Sequence, residues 1–150
     1  MIDVNLSMLI YRPIRPVFEY VSATENDFQW QYGTLATARL SEGASAEGSF
    51  FRSIGHLMGR RVVGTYEVTE FEPDKKYGYT SRSGPLQSQT SYTFETANGG
   101  TKVAVSVQAS VVDFFQVNEG ALSKGLKMQF RENLAMLKDL LEARQVSGGF

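Results

Sequence analysis

A long alternating segment, interrupted by regular turn signals, constrains the fold of this chain most strongly. Between residues 34 and 112, β-branched and aromatic residues alternate with polar residues, which is typical of half-buried strands. Turn residues interrupt this alternation at 43–46, 55–59, 73–75, 83–85 and 98–100. Because connections this short join neighbouring antiparallel strands, the segment predicts six strands in an antiparallel meander.

The N-terminal residues predict one further strand and two short helices. Residues 2–11 alternate loosely between apolar and polar side chains, which indicates a first strand. Pro13 and Pro16 mark the start of a short helix, because a proline in the first turn removes no intrahelical hydrogen bond. Thr24 and Asp27 have the spacing of a capping box at the start of a second short helix.

The C-terminal residues predict one long helix. Between residues 119 and 144, a leucine or phenylalanine recurs every three to four positions, which produces one apolar face. Gly120, Ala121 and Gly125 near its start either leave volume for a cavity or only permit close packing. We therefore expect an α+β fold in a single domain over residues 1–150. A seven-stranded curved antiparallel sheet surrounds the long C-terminal helix, and two short helices lie between strands 1 and 2.

Composition excludes several kinds of site and partner. Lys and Arg number 15 against 16 Asp and Glu, and this near-neutral balance argues against a nucleic-acid partner. The absence of cysteine and the single histidine, His56, exclude thiolate catalysis and Cys- or His-based metal centres. We see no acidic cluster for a hard cation, so neither a metal nor a cofactor is predicted. No signal peptide or membrane span is evident, which predicts a cytoplasmic protein without integral membrane contact. The sequence does not decide between a monomer and a homodimer.

Side-chain alternation predicts which strand residues face the helix. Glu67 and Glu95 should face water, which places Tyr66 and Val68 on one strand and Tyr92 and Phe94 on another inside. Thr90 lies on the same face as Tyr92. Tyrosine and threonine hydroxyls that face a cavity can orient a carbonyl or phenol of a ligand. The full set of expected ligand-binding residues is Trp30, Phe50, Tyr66, Tyr79, Thr90, Tyr92, Leu122, Leu126 and Phe130.

Several titratable residues are weaker candidates, and no catalytic residue is assigned. His56 is predicted at an exposed hairpin tip, where a surface role is simpler than general-base catalysis. Glu70 and Glu72 share a strand face at about 7 Å, as an acid/base pair would, but they lie at a strand end that water reaches. Asp113 is expected in a turn after the last strand, and Arg82 is expected in solvent.

The order of these elements and several local motifs resemble the START-like, or Bet v 1-like, superfamily (SRPBCC). The polyketide cyclase/dehydrase-like branch of that superfamily is the most similar. The resemblance covers residues 2–144 and implies a helix-grip fold. The motifs are Arg12–Val21 (RPIRPVFEYV), Trp30, Gly59-Arg60-Arg61, Glu67–Pro73 (EVTEFEP), Tyr92–Glu95 (YTFE), Gly99–Val103 (GGTKV) and the leucine-rich stretch Leu134–Glu142.

The resemblance implies that a small hydrophobic or aromatic molecule, lipid- or polyketide-like, binds in a cavity between the sheet and the C-terminal helix. An alternative is a cofactor-free polyketide cyclase/dehydrase-type enzyme that acts in the same cavity, where a tyrosine or arginine polarises an enolate. A third hypothesis is an interaction protein whose groove is filled by its own side chains. The identity of the ligand, the presence of catalysis, the oligomeric state and the openness of the cavity stay undetermined at this level.

Overall fold

Seven antiparallel strands form one curved sheet around a long C-terminal helix, as expected. The computed structural model describes residues 1–111 and 118–146, so the expected turn residue Asp113 lies outside the described residues. The strands are β1 (Ile2–Ile10), β2 (Thr34–Arg39), β3 (Phe50–Leu57), β4 (Arg60–Glu72), β5 (Lys76–Ser83), β6 (Leu86–Ala97) and β7 (Gly100–Val111). The helices are α1 (Ile14–Ser22), α2 (Asp27–Trp30) and α3 (Glu119–Val146), and a single 3-10 turn (Thr24–Asn26) precedes α2.

The strand order places the first strand beside the last strand. The sheet runs β1-β7-β6-β5-β4-β3-β2, so the consecutive hairpins from β2 to β7 form a meander and β1 pairs with its last strand. In that pairing Val4 lies opposite Val107 and Ile10 lies opposite Thr101. The N-terminal strand is therefore held by residues about a hundred positions later in the sequence.

One face of the sheet is covered and the other faces water. On β7, Val103, Val105 and Val107 are buried, whereas Lys102 and Gln108 are exposed. This alternation is typical of a strand in a sheet that is packed on one side only. The same face of β6 carries Tyr92 and Phe94 inward, as predicted.

The long helix is fixed to β1 through its C-terminal half. Leu134, Leu137 and Leu141 are buried, and α3 packs mainly against β1. Lys138 Nζ donates a hydrogen bond to the carbonyl oxygen of Leu9 at 2.9 Å, which ties the helix to the edge of the sheet. The N-terminal half of α3 continues across the sheet toward β3 and β4. This half is the part of the helix that can roof a cavity.

Two local predictions, one at α2 and one at the end of β3, are wrong. Asp27 does not cap a helix, since neither the 3-10 turn nor α2 has a side-chain cap hydrogen bond. Its side chain is buried instead, with 3% of its surface exposed. His56 does not lie at a hairpin tip, because β3 continues through Leu57 and the turn is confined to Met58 and Gly59.

None of the helices in the described part of the chain is long and apolar enough to cross a membrane.

Candidate functional site

A cavity of about 140 Å³ lies between the sheet and the N-terminal half of α3. Strands β3 to β7 form its floor and walls, α3 forms its roof, and α2 closes one end. Its apolar and aromatic lining includes Phe51, Leu57, Val62, Tyr66, Tyr79, Leu86, Val107, Ala109, Leu126 and Phe130. Its polar lining includes Asp27, Gln31, Ser53, His56, Ser88, Thr90, Gln129 and Asn133.

Three aromatic rings form one wall of the cavity. The ring of Phe51 stacks on that of Tyr66, with centroids 5.4 Å apart and an interplanar angle of 18°. The Tyr79 ring meets both of them edge-on, at 5.3 Å from Phe51 and 5.5 Å from Tyr66. Edge-on and offset stacked rings are the favoured aromatic arrangements, so this wall is held in place by its own contacts.

Asp27 brings a carboxyl group to the cavity from the first residue of α2. Its Oδ1 atom is buried and has no hydrogen-bond partner. Burial raises the pKa of Asp27 well above its ordinary value, and the negative charge of Glu25 adds to this rise. The site therefore favours the protonated, neutral form of the carboxyl group.

Tyrosine hydroxyls surround the same end of the cavity. Burial is the main cause that raises the pKa of Tyr77, Tyr79 and Tyr92, and the charge of Asp27 contributes to each rise. The hydroxyls of Tyr77 and Tyr92 are buried without a full hydrogen bond, although the Tyr79 hydroxyl interacts with Tyr92 and with Thr90. The raised pKa values keep all three hydroxyls protonated, and Tyr79 is the one of the three that lines the cavity and can hydrogen-bond to a molecule inside it.

The connection between α2 and β2 contributes Gln31 and Gly33 to the cavity lining. The side chain of Gln129 on α3 donates to the carbonyl oxygen of Tyr32, and the Tyr32 N–H donates to Asn133 Oδ1. The N–H of His56 donates to the Gly33 oxygen at 2.7 Å. Gly33 has φ +92°, and a Cβ atom there would collide with the β3 backbone, so only glycine fits. The connection is thereby fixed between helix and sheet.

The structure brings five of the nine expected ligand-binding residues to the cavity lining. They are Tyr66, Tyr79, Thr90, Leu126 and Phe130. Three others are buried beside the lining without forming it, namely Trp30, Tyr92 and Leu122. Trp30 packs edge-on against Tyr92 with ring centroids 5.8 Å apart, and it supports the polar end from behind.

Phe50 differs from the expectation because it lies on the other face of the sheet. Its side chain is 36% exposed, whereas that of Phe51 is 3% exposed and lines the cavity. The cause is strand register: Phe51 lies opposite Tyr66, which faces inward, and Phe50 lies opposite Glu67. Directly opposed residues share one face of the sheet, so the inward position belongs to Phe51.

The weaker candidates are mostly away from the cavity. Glu70 pairs with Lys76 at 3.4 Å, and Glu67 pairs with Arg82 at 2.9 Å on the outer face. His56 reaches the rim of the cavity but its side chain is exposed. Among residues 1–111 and 118–146, no group of His, Cys, Asp and Glu side chains could hold a metal ion.

The small residues of α3 do not enlarge the cavity. Gly125 faces Met58, whose side chain lies 3.5 Å from the position of an added Cβ atom. Both residues line a surface groove that also contains Tyr32 and Met128, and this groove shares Gly33, His56, Leu57 and Gln129 with the cavity lining. Gly120 lies in open space apart from the side chain of Asn118. The space beside Gly125 thus belongs to this groove, and no close contact requires a glycine at Gly120.

Two polar residues of the cavity were missed at the sequence level. Asp27 precedes Trp30 by three positions, and residues at this spacing share a helix face. Because Trp30 was expected to face inward, Asp27 could have been expected to face inward as well. Asn133 follows Leu126 by seven positions and interrupts the apolar face of α3. A buried asparagine in an apolar stripe is unusual and needs a polar partner, which the Tyr32 backbone provides.

Comparison with known structures supports the helix-grip assignment. The chain superposes on a START superfamily protein from Mycobacterium smegmatis with a TM-score of 0.83 and 14% identity, covering 95% of this chain and 99% of that one. It superposes on the Zhui aromatase/cyclase from Streptomyces sp. R1128 with a TM-score of 0.79 and 14% identity, covering 99% and 98%. A protein from Thermus thermophilus gives a TM-score of 0.80 and 16% identity, covering 95% and 98%. At these identities the likeness establishes the fold alone.

Sequence comparison defines the family. No curated protein matches this chain. The family model described as polyketide cyclase / dehydrase and lipid transport matches residues 1–142, which is nearly the whole sequence. The chain therefore belongs to the polyketide cyclase/dehydrase and lipid transport family.

Proposed function

We propose that this protein binds a small hydrophobic or aromatic molecule in the cavity between the sheet and α3. The single observation that carries the proposal is a cavity between sheet and helix with an aromatic wall and several polar side chains in its lining. Such a combination is characteristic of small-molecule sites, where apolar surface provides affinity and a few polar groups provide orientation. The family assignment supports the same function.

The size of the cavity narrows the ligand further. Its volume of about 140 Å³ is close to the roughly 150 Å³ of an engineered apolar cavity that binds benzene. A single aromatic ring with a short substituent fits this space. A long acyl chain or a fused polyketide needs more room, so we propose a single-ring aromatic compound as the ligand of this conformation.

Native mass spectrometry of the purified protein, followed by solvent extraction, tests the proposal directly. We expect an apolar small molecule to co-purify or, for the empty protein, added toluene to bind. Toluene binding is measured from the chemical shifts of cavity residues in ¹H–¹⁵N spectra. If toluene perturbs no residue of the cavity lining, the proposed site is wrong.

A pair of variants on one strand locates the site. Thr90→Trp places an indole ring inside the cavity, and we expect it to abolish toluene binding. Thr93→Trp places the same ring on the exposed face of β6 and should leave binding unchanged. Circular dichroism establishes that both variants are folded. Equal toluene binding by a folded Thr90→Trp variant and the wild type would move the site elsewhere.

The buried carboxyl group favours a second candidate function, cofactor-free cyclase/dehydrase-type catalysis. A purely apolar cavity would argue against it, whereas Asp27 places a proton-bearing group beside the ligand space. The distinguishing experiment is to reload the extracted ligand and follow its mass with time. Loss of one water, or conversion to an isomer of equal mass with a different chromatographic retention, supports catalysis if it is abolished in Asp27→Asn. A ligand unchanged in both mass and retention supports binding alone.

A further inference from the structure

The chemistry of Asp27 indicates which kind of aromatic molecule the cavity accepts. Its carboxyl group is 3% exposed, it lines the cavity, and its Oδ1 atom has no hydrogen-bond partner in the protein. Buried polar atoms are nearly always paired, and Asp27 belongs to the cavity lining, so a polar group of a bound ligand can supply the partner that Oδ1 lacks.

We propose that Asp27, as a neutral carboxylic acid, donates a hydrogen bond to a carbonyl oxygen of the ligand, which is therefore a single-ring aromatic ketone or aldehyde. This inference rests on the proposed function, because it requires that the cavity bind a small molecule. The ring lies against the wall formed by Phe51, Tyr66 and Tyr79, and the carbonyl group points to the end closed by α2.

The groups around Asp27 explain why the carboxyl group is the donor. Tyr77 and Tyr79 of β5 and Tyr92 of β6 interact electrostatically with it, and Glu25 lies in its own segment. Glu25 is negatively charged and the three tyrosines are uncharged, so none of these four groups places a positive charge beside Asp27. Burial and Glu25 both raise the pKa of Asp27, which agrees with a neutral carboxyl group.

Ligands of other charge fit this end of the cavity less well. An aromatic carboxylate would place a second acid beside Asp27 in a desolvated site. An aromatic amine would need Asp27 to be ionised and a charge pair to be buried, and the desolvation of both ions opposes that. A hydrocarbon would leave Oδ1 unpaired. A neutral carbonyl group satisfies the donor without introducing a charge.

Three probes of nearly the same shape test the assignment: acetophenone, α-methylstyrene and 1-phenylethylamine. They carry a carbonyl oxygen, a methylene group and an ammonium group at the same position. Binding is measured by ¹H–¹⁵N titration at pH 6. We expect acetophenone to bind about five- to tenfold more tightly than α-methylstyrene, which corresponds to one neutral hydrogen bond.

Substitution at Asp27 separates hydrogen bonding from shape. Asp27→Asn keeps a donor at every pH, so its preference for acetophenone should be retained and independent of pH. Asp27→Leu has a similar size without a donor, and its preference should disappear. In the wild type the preference should fall as the pH rises and Asp27 ionises. His56→Gln removes the other titratable side chain at the rim and should leave that pH dependence unchanged.

The outcomes distinguish failure of this inference from failure of the proposed function. Equal binding of acetophenone and α-methylstyrene overturns the inference while the cavity remains a binding site. Tighter binding of 1-phenylethylamine also overturns it, in favour of an ionised Asp27 and a cationic ligand. If no probe perturbs the cavity residues, the proposed function fails and the inference fails with it.

Discussion

Ala109→Val tests whether the interior of this protein contains free space. Ala109 is 1% exposed and lines the cavity from β7. Valine adds two methyl groups on a strand where β-branched residues are favoured. If the cavity is empty, these groups enter it without displacing other atoms, and the variant is more stable than the wild type. If the groove is already filled by side chains, the same groups overpack it and the variant is less stable.

The size of the effect follows from the structure. An unfilled apolar space of about 140 Å³ costs at most about 3 kcal/mol at 24 cal/mol per Å³. Two buried methyl groups recover about 1.6 kcal/mol of this at about 0.8 kcal/mol each. For a chain of 150 residues that corresponds to a rise in melting temperature of about 3–6 °C. Overpacking would instead lower stability by about 1–3 kcal/mol.

Urea denaturation of both variants measures the free energy of unfolding, with the slope m as a check on two-state behaviour. Ala104→Val is the matched control, because Ala104 lies on the outer face of the same strand and is only half-buried. We expect Ala104→Val to change stability by less than about 0.5 kcal/mol, as surface substitutions usually do. The expected gain in Ala109→Val should be accompanied by weaker toluene binding. A destabilised Ala109→Val beside a neutral control would refute the open cavity.

Three further predictions concern packing, glycines and pH. Leu137→Ala should lower the free energy of unfolding by about 2–5 kcal/mol, because Leu137 is fully buried. Met136→Ala, on the exposed side of α3, should change this free energy little, and urea denaturation measures both variants. Gly125→Ala should raise stability by up to about 1 kcal/mol, since alanine favours the helix and the added Cβ meets only ordinary contacts. Gly100→Ala should lower stability, because its Cβ would collide with the backbone of β1. Asp27→Asn should gain stability relative to the wild type as the pH rises above about 4, the ordinary aspartate pKa. Above this pH the unfolded wild type releases the Asp27 proton whereas the folded wild type keeps it, which favours unfolding. Equal slopes of stability against pH in both proteins would contradict the raised pKa of Asp27.

The strands and the long helix were predictable because each has a clear period. Alternation on β6 and β7 and the leucine spacing of α3 reflect burial of one face, and burial of one face is visible in a sequence. Phe50 and Phe51 show the limit of this approach. Both are apolar and adjacent, so alternation alone cannot decide which faces inward. Which of the two faces inward depends on how β3 pairs with β4, and this register is a property of the folded sheet.

The polar end of the site was harder to predict for a different reason. An acidic residue at the start of a helix is favourable for the helix dipole and for capping, so Asp27 had an ordinary explanation in solvent. Its burial depends on the packing of α2 against the tyrosines of the sheet, and no local pattern reports that packing. The surface groove at Gly125 is a similar case, because the small residue indicated space without indicating on which side of the helix the space lies.

The pairing of the first and last strands has a consequence for how the chain acquires its structure during synthesis. Ile2 lies opposite Ala109, so β1 has no partner until nearly three-quarters of the chain has left the ribosome. The α3 leucines that cover β1 are made later still. Contacts so distant in sequence slow folding, and apolar strand residues such as Val4 stay exposed meanwhile. The nascent chain therefore passes through a stage in which the apolar face of its N-terminal strand has neither its partner strand nor its covering helix.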